Sequence, residues 1–170
     1  MDKRSPFREE NYPFKHWFLN ANVQKKSIVH AMRLFDKVQF FDLDGKLKKQ
    51  HMFSLLKMPS LDADNALILE ETFYYFSSVK ASSDYCFVVR SGRKSQWRAG
   101  DISTSPPLQL LVFNWDGLLL NTFEIPAIEV SKMCFDDDLG YLYTFQSSEE
   151  VYDLYVTVRK YDLNEYLKVD

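Results

Sequence analysis

Apolar and polar residues alternate along much of this chain, in short runs that are separated by turn-forming residues. The first four runs cover residues 13–19, 27–34, 37–42 and 46–53. Alternation with a period of two places successive side chains on opposite faces of a β-strand. Asp44-Gly45 lies between the last two runs, and this dipeptide favours a type I′ hairpin, in which both central residues have positive φ. This part of the chain therefore predicts four consecutive antiparallel strands.

The same pattern returns twice further along the sequence. A second round predicts strands at 73–79, 85–91, 108–114 and 118–125, with Asp116-Gly117 at the last turn. A third round predicts strands at 129–135, 141–146 and 151–161, and its fourth strand exists only if Glu165 to Val169 forms one. Repetition of a four-stranded meander is typical of β-propeller blades.

One short signature recurs in all three rounds and aligns them. Its copies are Phe41-Asp42-Leu43-Asp44, Phe113-Asn114-Trp115-Asp116 and Tyr161-Asp162-Leu163-Asn164. The distance from the second copy to the third fits a blade of about 40 to 50 residues. The first distance is longer, which we attribute to additional loop residues at 54–72 and 92–107.

These patterns predict an all-β fold, namely a partial β-propeller of two to three four-stranded antiparallel blades. The blades are expected at about 13–53, 73–125 and 129–170, after a polar leader at 1–12. An eight-stranded barrel or a β-sandwich is the alternative, because either one shares the strand signals but not the register of the repeat.

The composition agrees with a folded β protein and narrows the classes of partner. Of the 170 residues, 46% are hydrophobic, 16% are aromatic and 26% are charged, so the chain has enough apolar side chains to bury a core. The net charge of -3 gives no electrostatic reason to expect a nucleic acid or an anionic membrane as partner. The sequence has no run of 18 apolar residues and no apolar core of a signal peptide. We therefore expect no membrane span and no export by the usual route.

The residues that most often bind metals are scattered along the chain. His16, His30 and His51 share no ligand spacing within one strand or helix. The acidic segments 42–45 and 136–138 lack the full pattern of a calcium loop, so they are interpreted as a hairpin turn and a solvent-facing turn. The sequence therefore predicts no metal site.

Candidate nucleophiles are equally isolated. Cys86 and Cys134 each lie in an apolar strand-like run and are interpreted as buried thiols that pack as small hydrophobic groups. No Gly-x-Ser-x-Gly motif and no glycine-rich phosphate loop is present. The sequence predicts no catalytic residue and no cofactor.

The most informative segment outside the strands is the long polar stretch from Ser91 to Pro107 (SGRKSQWRAGDISTSPP). It places four basic residues around Trp97, namely Arg90, Arg93, Lys94 and Arg98. Loops longer than about 12 residues inside a compact domain are usually functional or disordered. Guanidinium groups beside an aromatic ring suit anionic or sugar-like ligands, so Arg93, Trp97 and Arg98 are candidate ligand-binding residues. A flexible solvated loop is the alternative. In a blade, segments 54–72 and 92–107 emerge at the same end, where we expect them to meet.

Two sets of motifs in the sequence bear on its family. The first is Leu110 to Gly117 (LLVFNWDG), followed by 140–143 (GYLY) and 158–163 (VRKYDL). The second is Ser27 to Arg33 (SIVHAMR), which leads to 40–45 (FFDLDG). In order and spacing, these motifs resemble the C-terminal half of TolB-like six-bladed β-propeller proteins, which are common in Bacteroides-type bacteria, over roughly residues 25–165.

The resemblance implies a propeller fold and little about function, because the family has no established reaction. Its members are usually longer, carry an N-terminal export or lipoprotein signal and are found in the periplasm or at the cell surface. This sequence departs from them in length and in that signal, so its compartment stays open. Three interpretations follow: a fragment, a shortened paralogue, or a half-propeller that pairs with a second copy in a homodimer.

The function predicted from the sequence is a non-catalytic ligand-binding or scaffolding module. Its ligand is a small molecule, a glycan or a protein. The alternatives are a propeller-type hydrolase or lyase acting on glycans or peptides, and a fragment of a longer propeller without a function of its own.

Overall fold

The computed structural model describes residues 17–54, 59–63, 67–68, 71–94, 107–125, 132–150 and 153–167. Strand accounts for 65% of this structure, and the one α-helix among these residues is the short α1 (Asn164–Leu167). The strands form three small antiparallel sheets of three or four strands each. The prediction of an all-β fold is therefore confirmed.

Each sheet is a meander in which every strand pairs with the next one along the chain. Sheet 1 contains β1 (Trp17–Asn22), β2 (Ser27–Met32), β3 (Lys37–Phe41) and β4 (Leu47–Met52). Sheet 2 contains β5 (Phe73–Ala81), β6 (Tyr85–Lys94), β7 (Leu108–Asn114) and β8 (Leu119–Ile125). Sheet 3 contains β9 (Lys132–Asp136), β10 (Tyr141–Glu150) and β11 (Asp153–Asp162).

The recurring signature forms a tight turn between β3 and β4. The backbone N–H of Asp42 donates to the carbonyl of Lys46 over 3.0 Å, and the N–H of Gly45 donates to the carbonyl of Asp42 over 3.1 Å. The side chain of Asp42 also accepts the N–H groups of Asp44 and Lys46. Asn114 takes part in the same four hydrogen bonds at the turn between β7 and β8. The first Asx residue of the signature therefore organises the whole turn.

These turns differ from the type I′ hairpins that the Asp-Gly dipeptides predict. Gly45 and Gly117 have φ values of 81° and 77°, whereas neither Asp44 nor Asp116 has a positive φ. Each loop lies beside a register shift in its hairpin, which is typical of a three-residue loop with a left-handed glycine and a bulge. The type I′ prediction is wrong because the Asx side chain accepts hydrogen bonds from the backbone that follows it. These bonds hold the residue before each glycine in a turn conformation without a positive φ.

Sheet 2 has a neighbouring sheet on each face. The face that packs on sheet 1 is called the front face, and it contributes Val88 and Phe113 to a core cluster shared with Val29 and Phe40 of sheet 1. The rings of Phe40 and Phe113 lie 5.3 Å apart between their centroids. Such tilted contacts between buried rings add to the energy of area burial.

The opposite face of sheet 2 is called the back face, and it packs on sheet 3. Phe87 and Val112 of sheet 2 share this second core cluster with Met133 and Leu142 of sheet 3. The alternation of β6 explains both clusters, because its successive side chains point to opposite faces. As a result, β6 has four consecutive buried residues, Cys86 to Val89.

The turn signature extends the terms front and back to the other two sheets. Phe41, Phe113 and Tyr161 occupy equivalent positions, so each marks the front face of its sheet. Tyr161 packs against the cluster that sheet 3 shares with the back face of sheet 2. The two observed contacts therefore follow one rule, in which the front face of a sheet packs on the back face of the sheet before it. In addition, β5 contacts both β1 and β9, so the first strands of the three sheets lie next to one another.

The segment 165–169, which could have supplied a fourth strand to sheet 3, does not do so in its described part, because Asn164–Leu167 is helical. The N–H groups of Tyr166 and Leu167 both donate to the carbonyl of Leu163 over 3.0 Å. Leu163 and Leu167, one helical turn apart, are both buried in the cluster between sheets 2 and 3. Burial of this leucine pair favours the helix over an edge strand.

The interpretation of both cysteines as buried thiols holds for Cys86 and is wrong for Cys134. Cys86 is buried in the cluster between sheets 1 and 2, and this burial raises the pKa of its thiol. Cys134 is exposed, because its neighbour Met133 takes the core-facing position of β9. Both cysteines are free.

Candidate functional site

Arg93 is the one predicted ligand-binding residue that the structure describes. It lies near the end of β6, opposite Tyr74 of β5, so the prediction that places it in a loop is wrong. The strand continues past Ser91 because Phe73 and Tyr74 extend β5 far enough to pair with Lys94 and Arg93. Trp97 and Arg98 lie outside the described residues. The expected meeting of segments 54–72 and 92–107 also falls largely outside them and stays a prediction.

Tyr74 connects Arg93 with an arginine from the turn between β2 and β3. The guanidinium carbon of Arg33 lies 3.9 Å from the centroid of the Tyr74 ring, which is a cation–π contact. The carbonyl of Arg33 accepts the N–H of Tyr75 over 2.8 Å, which fixes the backbone of the turn against β5. Directly opposed residues of an antiparallel pair project from the same face, so Arg93 lies beside the same ring. We call Arg33, Tyr74 and Arg93 the arginine–tyrosine group.

Irregular pairing between β5 and β6 makes this group possible. Tyr75 and Phe76 both belong to the cluster shared with sheet 1, and Tyr74 also meets a residue of sheet 1. In a regular strand, Tyr75 would point to the face opposite that of Tyr74 and Phe76. The pairing of β5 with β6 shifts register between Tyr74 and Phe76 and again between Phe76 and Ser78. Bulges of this kind re-aim side chains and are frequent beside functional sites.

A buried ion pair joins sheets 1 and 2 next to the arginine–tyrosine group. Asp36 lies in the turn between β2 and β3 and is 4% exposed. Arg90 of β6 donates to its two carboxylate oxygens, from Nε over 2.7 Å and from Nη2 over 2.5 Å. The third donor, Nη1, donates to Oε1 of Gln109 over 2.7 Å. This bidentate geometry is the strongest form of an arginine–carboxylate contact.

The opposite charges of Arg90 and Asp36 neutralise each other, so the role of the pair is to hold sheets 1 and 2 in position. The carboxylate of Asp36 raises the pKa of Arg90, which stays charged. The charge of Asp36 is thus taken up by Arg90. Tyr75 lies beside the pair, and its burial, followed by the charge of Asp36, raises the pKa of its hydroxyl, so the phenol stays neutral at physiological pH.

Three basic residues lie at this end of the two sheets. The guanidinium of Arg33 lies over the Tyr74 ring, Arg93 is opposite Tyr74 across the strand pair, and Lys94 adds an exposed ammonium group at the end of β6. Guanidinium groups bind carboxylate, sulfate and phosphate oxygens in a planar, two-pronged geometry. A phenol ring adds an apolar face on which a sugar or another planar group can stack.

The two described histidines, His30 and His51, do not contribute to this group. His30 lies on the front face of sheet 1, whereas His51 lies on the opposite face, where its Nε2 is 2.6 Å from the carbonyl oxygen of Gly117. His16 lies outside the described residues. Within the part of the chain that the structure describes, no three His, Cys, Asp or Glu side chains are grouped as metal ligands. The described residues also include no helix with the length and apolar character needed to cross a membrane.

Sequence reasoning missed Arg33, Tyr74 and Asp36 as members of this region. A signal for Arg33 exists, because it has the same parity along β2 as the buried residues Val29 and Ala31 and so continues the face that meets sheet 2. The position of Tyr74 depends on the register shifts of β5, which alternation does not predict.

Comparison with known proteins does not assign the chain to a family. No family model matches its sequence, and no curated protein matches it either.

Proposed function

We propose that this protein is a non-catalytic binding module of β-propeller type, which recognises an anionic group of its ligand at the arginine–tyrosine group. The ligand class that suits the group is an acidic glycan, one that carries carboxylate or sulfate groups on sugar rings. Guanidinium groups bind the acidic substituents and the phenol ring stacks on a sugar face. The small-molecule and protein ligands named from the sequence remain alternatives within the same binding class.

One observation carries this proposal: the guanidinium of Arg33 lies 3.9 Å over the ring of Tyr74, and Arg93 is the direct cross-strand neighbour of that ring. Tyr74 and Arg93 come from paired strands of sheet 2, and Arg33 comes from the short turn that follows β2 in sheet 1. The Asp36–Arg90 ion pair holds this turn against sheet 2 beside them, so the group has a rigid support.

The propeller part of the proposal is supported by the repeated order of the sheets. Three antiparallel meanders follow one another, each packs front to back on the one before it, and their first strands are neighbours. In propellers, sheets of this kind stand around a common axis with their first strands innermost. A TolB-like propeller is the family that the recurring signature resembles, and it is proposed here on that resemblance.

Calorimetric titration with three defined oligosaccharides tests the function. The probes are a heparin-derived tetrasaccharide, an oligogalacturonate of similar length and neutral maltotetraose. We expect one of the acidic probes to bind and maltotetraose not to bind. Arg33→Gln removes a charged donor, so its affinity for that probe should fall about tenfold or more, the usual effect of losing one charge-assisted hydrogen bond.

Two further variants locate the site. Arg159→Gln is the matched control, because Arg159 is an exposed arginine on β11 of sheet 3 and belongs neither to the arginine–tyrosine group nor to a core cluster of the described residues. It should bind as the wild type does. The triple variant R93A/W97A/R98A tests the predicted ligand-binding residues together and should bind at least as weakly as Arg33→Gln. The proposal is wrong if neither acidic probe binds, or if Arg159→Gln loses as much affinity as Arg33→Gln.

A further inference from the structure

The front face of sheet 1 carries several apolar side chains, and none of them belongs to a core cluster of the described residues. Ile28 and Phe41 pair near one end of this face and are half-buried. A polar row crosses the middle of the face and consists of His30, Gln39 and Gln50. The exposed apolar side chains on the same side of the sheet are Leu19, Leu47 and Met52, with 61%, 47% and 52% of their surface exposed. Exposed apolar side chains grouped on one face indicate an interaction site.

The equivalent face of sheet 2 shows what such a surface packs against. Aligned on the turn signature, Phe41 corresponds to Phe113, and its partner across the strand pair, Ile28, corresponds to Cys86. Phe113 and Cys86 are fully buried against the back face of sheet 1. The front face of sheet 1 therefore has the form of a surface that receives the back face of another sheet.

The back face of sheet 3 is the complementary surface. Its central positions are Tyr143 and Lys160, which form a cross-strand pair, and Val158, which is 54% exposed. They correspond to Phe87, Val112 and Leu110 of sheet 2, which are buried against sheet 3. Neither Tyr143 nor Val158 belongs to a core cluster of the described residues.

Both packed interfaces in the molecule join a front face to a back face. Among the residues that the structure describes, the front face of sheet 1 and the back face of sheet 3 are the two faces that belong to neither core cluster. We propose that two copies of this chain associate by packing the front face of sheet 1 in one copy on the back face of sheet 3 in the other. This association continues the front-to-back interfaces that the fold already contains, and it is independent of the proposed ligand site. Two such contacts in one dimer close the assembly and leave no end face exposed.

Polar substitutions on the two end faces indicate an association that is reversible. On the front face of sheet 1, His30 and Gln39 occupy the positions that Val88 and Leu111 have in sheet 2. On the back face of sheet 3, Lys160 occupies the position that Val112 has in sheet 2. Its ammonium group lies 3.4 Å from the centroid of the Tyr141 ring. These groups keep a solvated end face soluble, and they reduce the apolar area that an interface can bury.

Sedimentation equilibrium over a range of concentrations tests the proposal. The wild type should populate a species of twice 20.1 kDa. Leu19→Asp alters the front face and Val158→Asp alters the back face, and each alone should remain monomeric at concentrations where the wild type is dimeric. Leu118→Asp is the matched control, because Leu118 is 55% exposed in the turn between β7 and β8 and lies on neither end face. This control should dimerise as the wild type does.

Mixing the two variants tests the front-to-back rule itself. A Leu19→Asp chain still has an intact back face and a Val158→Asp chain an intact front face, so an equimolar mixture should form a heterodimer through one intact contact. Met52→Asp replaces Leu19→Asp if circular dichroism shows that the latter is unfolded. A wild type that stays monomeric overturns the proposal, as does either variant dimerising alone, since that result would show a front-to-front or back-to-back contact.

Discussion

Sheets 1 and 2 are built on one sequence pattern, but they differ in what covers their front faces. Phe113 is fully buried under sheet 1, whereas its counterpart Phe41 is only half-buried. Trp115 is 3% exposed, while Leu43 at the same position is 47% exposed. The same turn and the same register thus serve a buried surface in one sheet and an outer surface in the other. The repeat determines the backbone, and the neighbouring sheet determines which side chains the positions carry.

The two turn glycines show the same difference at the backbone. Gly45 and Gly117 have similar positive φ values, which L-residues with a side chain rarely adopt. A Cβ built on Gly45 would meet nothing within 4 Å, whereas one on Gly117 would lie 2.8 Å from atoms of Lys49 and Phe40. Gly45 is therefore required by its conformation alone. Gly117 is required by its conformation and also by the close approach of sheet 1.

The largest difference between the two sheets is expected from removal of the equivalent phenylalanines. Phe113→Ala should lower the free energy of unfolding by about 4 kcal/mol, because it opens a cavity between two packed sheets. Phe41→Ala should lower it by roughly 1 to 2 kcal/mol, because its ring is half-solvated and water fills the space. Urea melts of both variants measure the difference. Equal losses would mean that the front face of sheet 1 is covered as completely as that of sheet 2.

The glycine pair provides a second and slightly smaller contrast. Gly45→Ala should destabilise the protein by about 1 kcal/mol, the cost of a left-handed alanine. Gly117→Ala should cost about 3 kcal/mol, since the added methyl group also overpacks the contact between sheets 1 and 2. Thermal melts at one protein concentration give both values. A Gly117→Ala variant as stable as Gly45→Ala would contradict the close packing of the two sheets at this turn.

His30 lies on the front face of sheet 1, where sheet 2 has a valine, and this exchange makes stability depend on pH. Burial lowers the pKa of His30 below its ordinary value of 6.5, and the charge of Lys37 adds to the effect, while a hydrogen bond with Gln39 opposes it. Since the unfolded chain takes up this proton first, the free energy of unfolding should fall as the pH drops below about 6.5 and level off below the folded pKa.

The variant His30→Gln isolates this part of the pH dependence. Its free energy of unfolding should fall less between pH 7.5 and pH 5 than that of the wild type. The difference between the two falls should be smaller than the difference in stability between Gly45→Ala and Gly117→Ala. Urea melts at a series of pH values give the comparison. A wild type and a variant with parallel pH profiles would show that His30 titrates normally and that the front face of sheet 1 does not desolvate it.

The smallest effect is expected at Tyr161, the counterpart of Phe113 and Phe41 in sheet 3. Its hydroxyl oxygen is buried and has no hydrogen-bond partner among the described residues. Tyr161→Phe removes that unsatisfied group and should leave stability unchanged or raise it by up to about 1 kcal/mol. Differential scanning calorimetry measures this shift. A clear loss of stability would show that the hydroxyl is hydrogen-bonded and that the front face of sheet 3 is more polar than its contacts indicate.

The sequence predicts the strands of sheets 1 and 2 well because alternation and turn residues are local signals. The buried positions of β6 and β7 and the Asx-Gly turns can be identified from short windows of the chain. The helix at Asn164–Leu167 could not, since it depends on the burial of Leu163 and Leu167 against sheet 2, which is a tertiary contact. The same limit applies to Cys134, whose exposure depends on which face of β9 meets the core.

The candidate site was predictable only in part, because its residues meet through packing between sheets. The cluster of basic residues near the end of β6 predicts Arg93 as a ligand-binding residue. The alternation pattern gives no information on the register shifts beside Tyr74, the residue that contacts Arg33. Asp36 is a single carboxylate in a short turn, and its partner Arg90 belongs to another sheet. Such contacts follow from the stacking of sheets and have no signature in a local window of sequence.

The central claim is that sheet 2 is packed between sheet 1 on its front face and sheet 3 on its back face. Nuclear Overhauser spectroscopy on protein with labelled phenylalanines tests it directly. The ring of Phe113 should show a cross-peak to Phe40, whose centroid is 5.3 Å away, and the ring of Phe87 should show one to Phe135 at 4.6 Å. The account predicts both cross-peaks in the same sample. Loss of either one, while the contacts between β6 and β7 persist, would contradict the stacking of the three sheets.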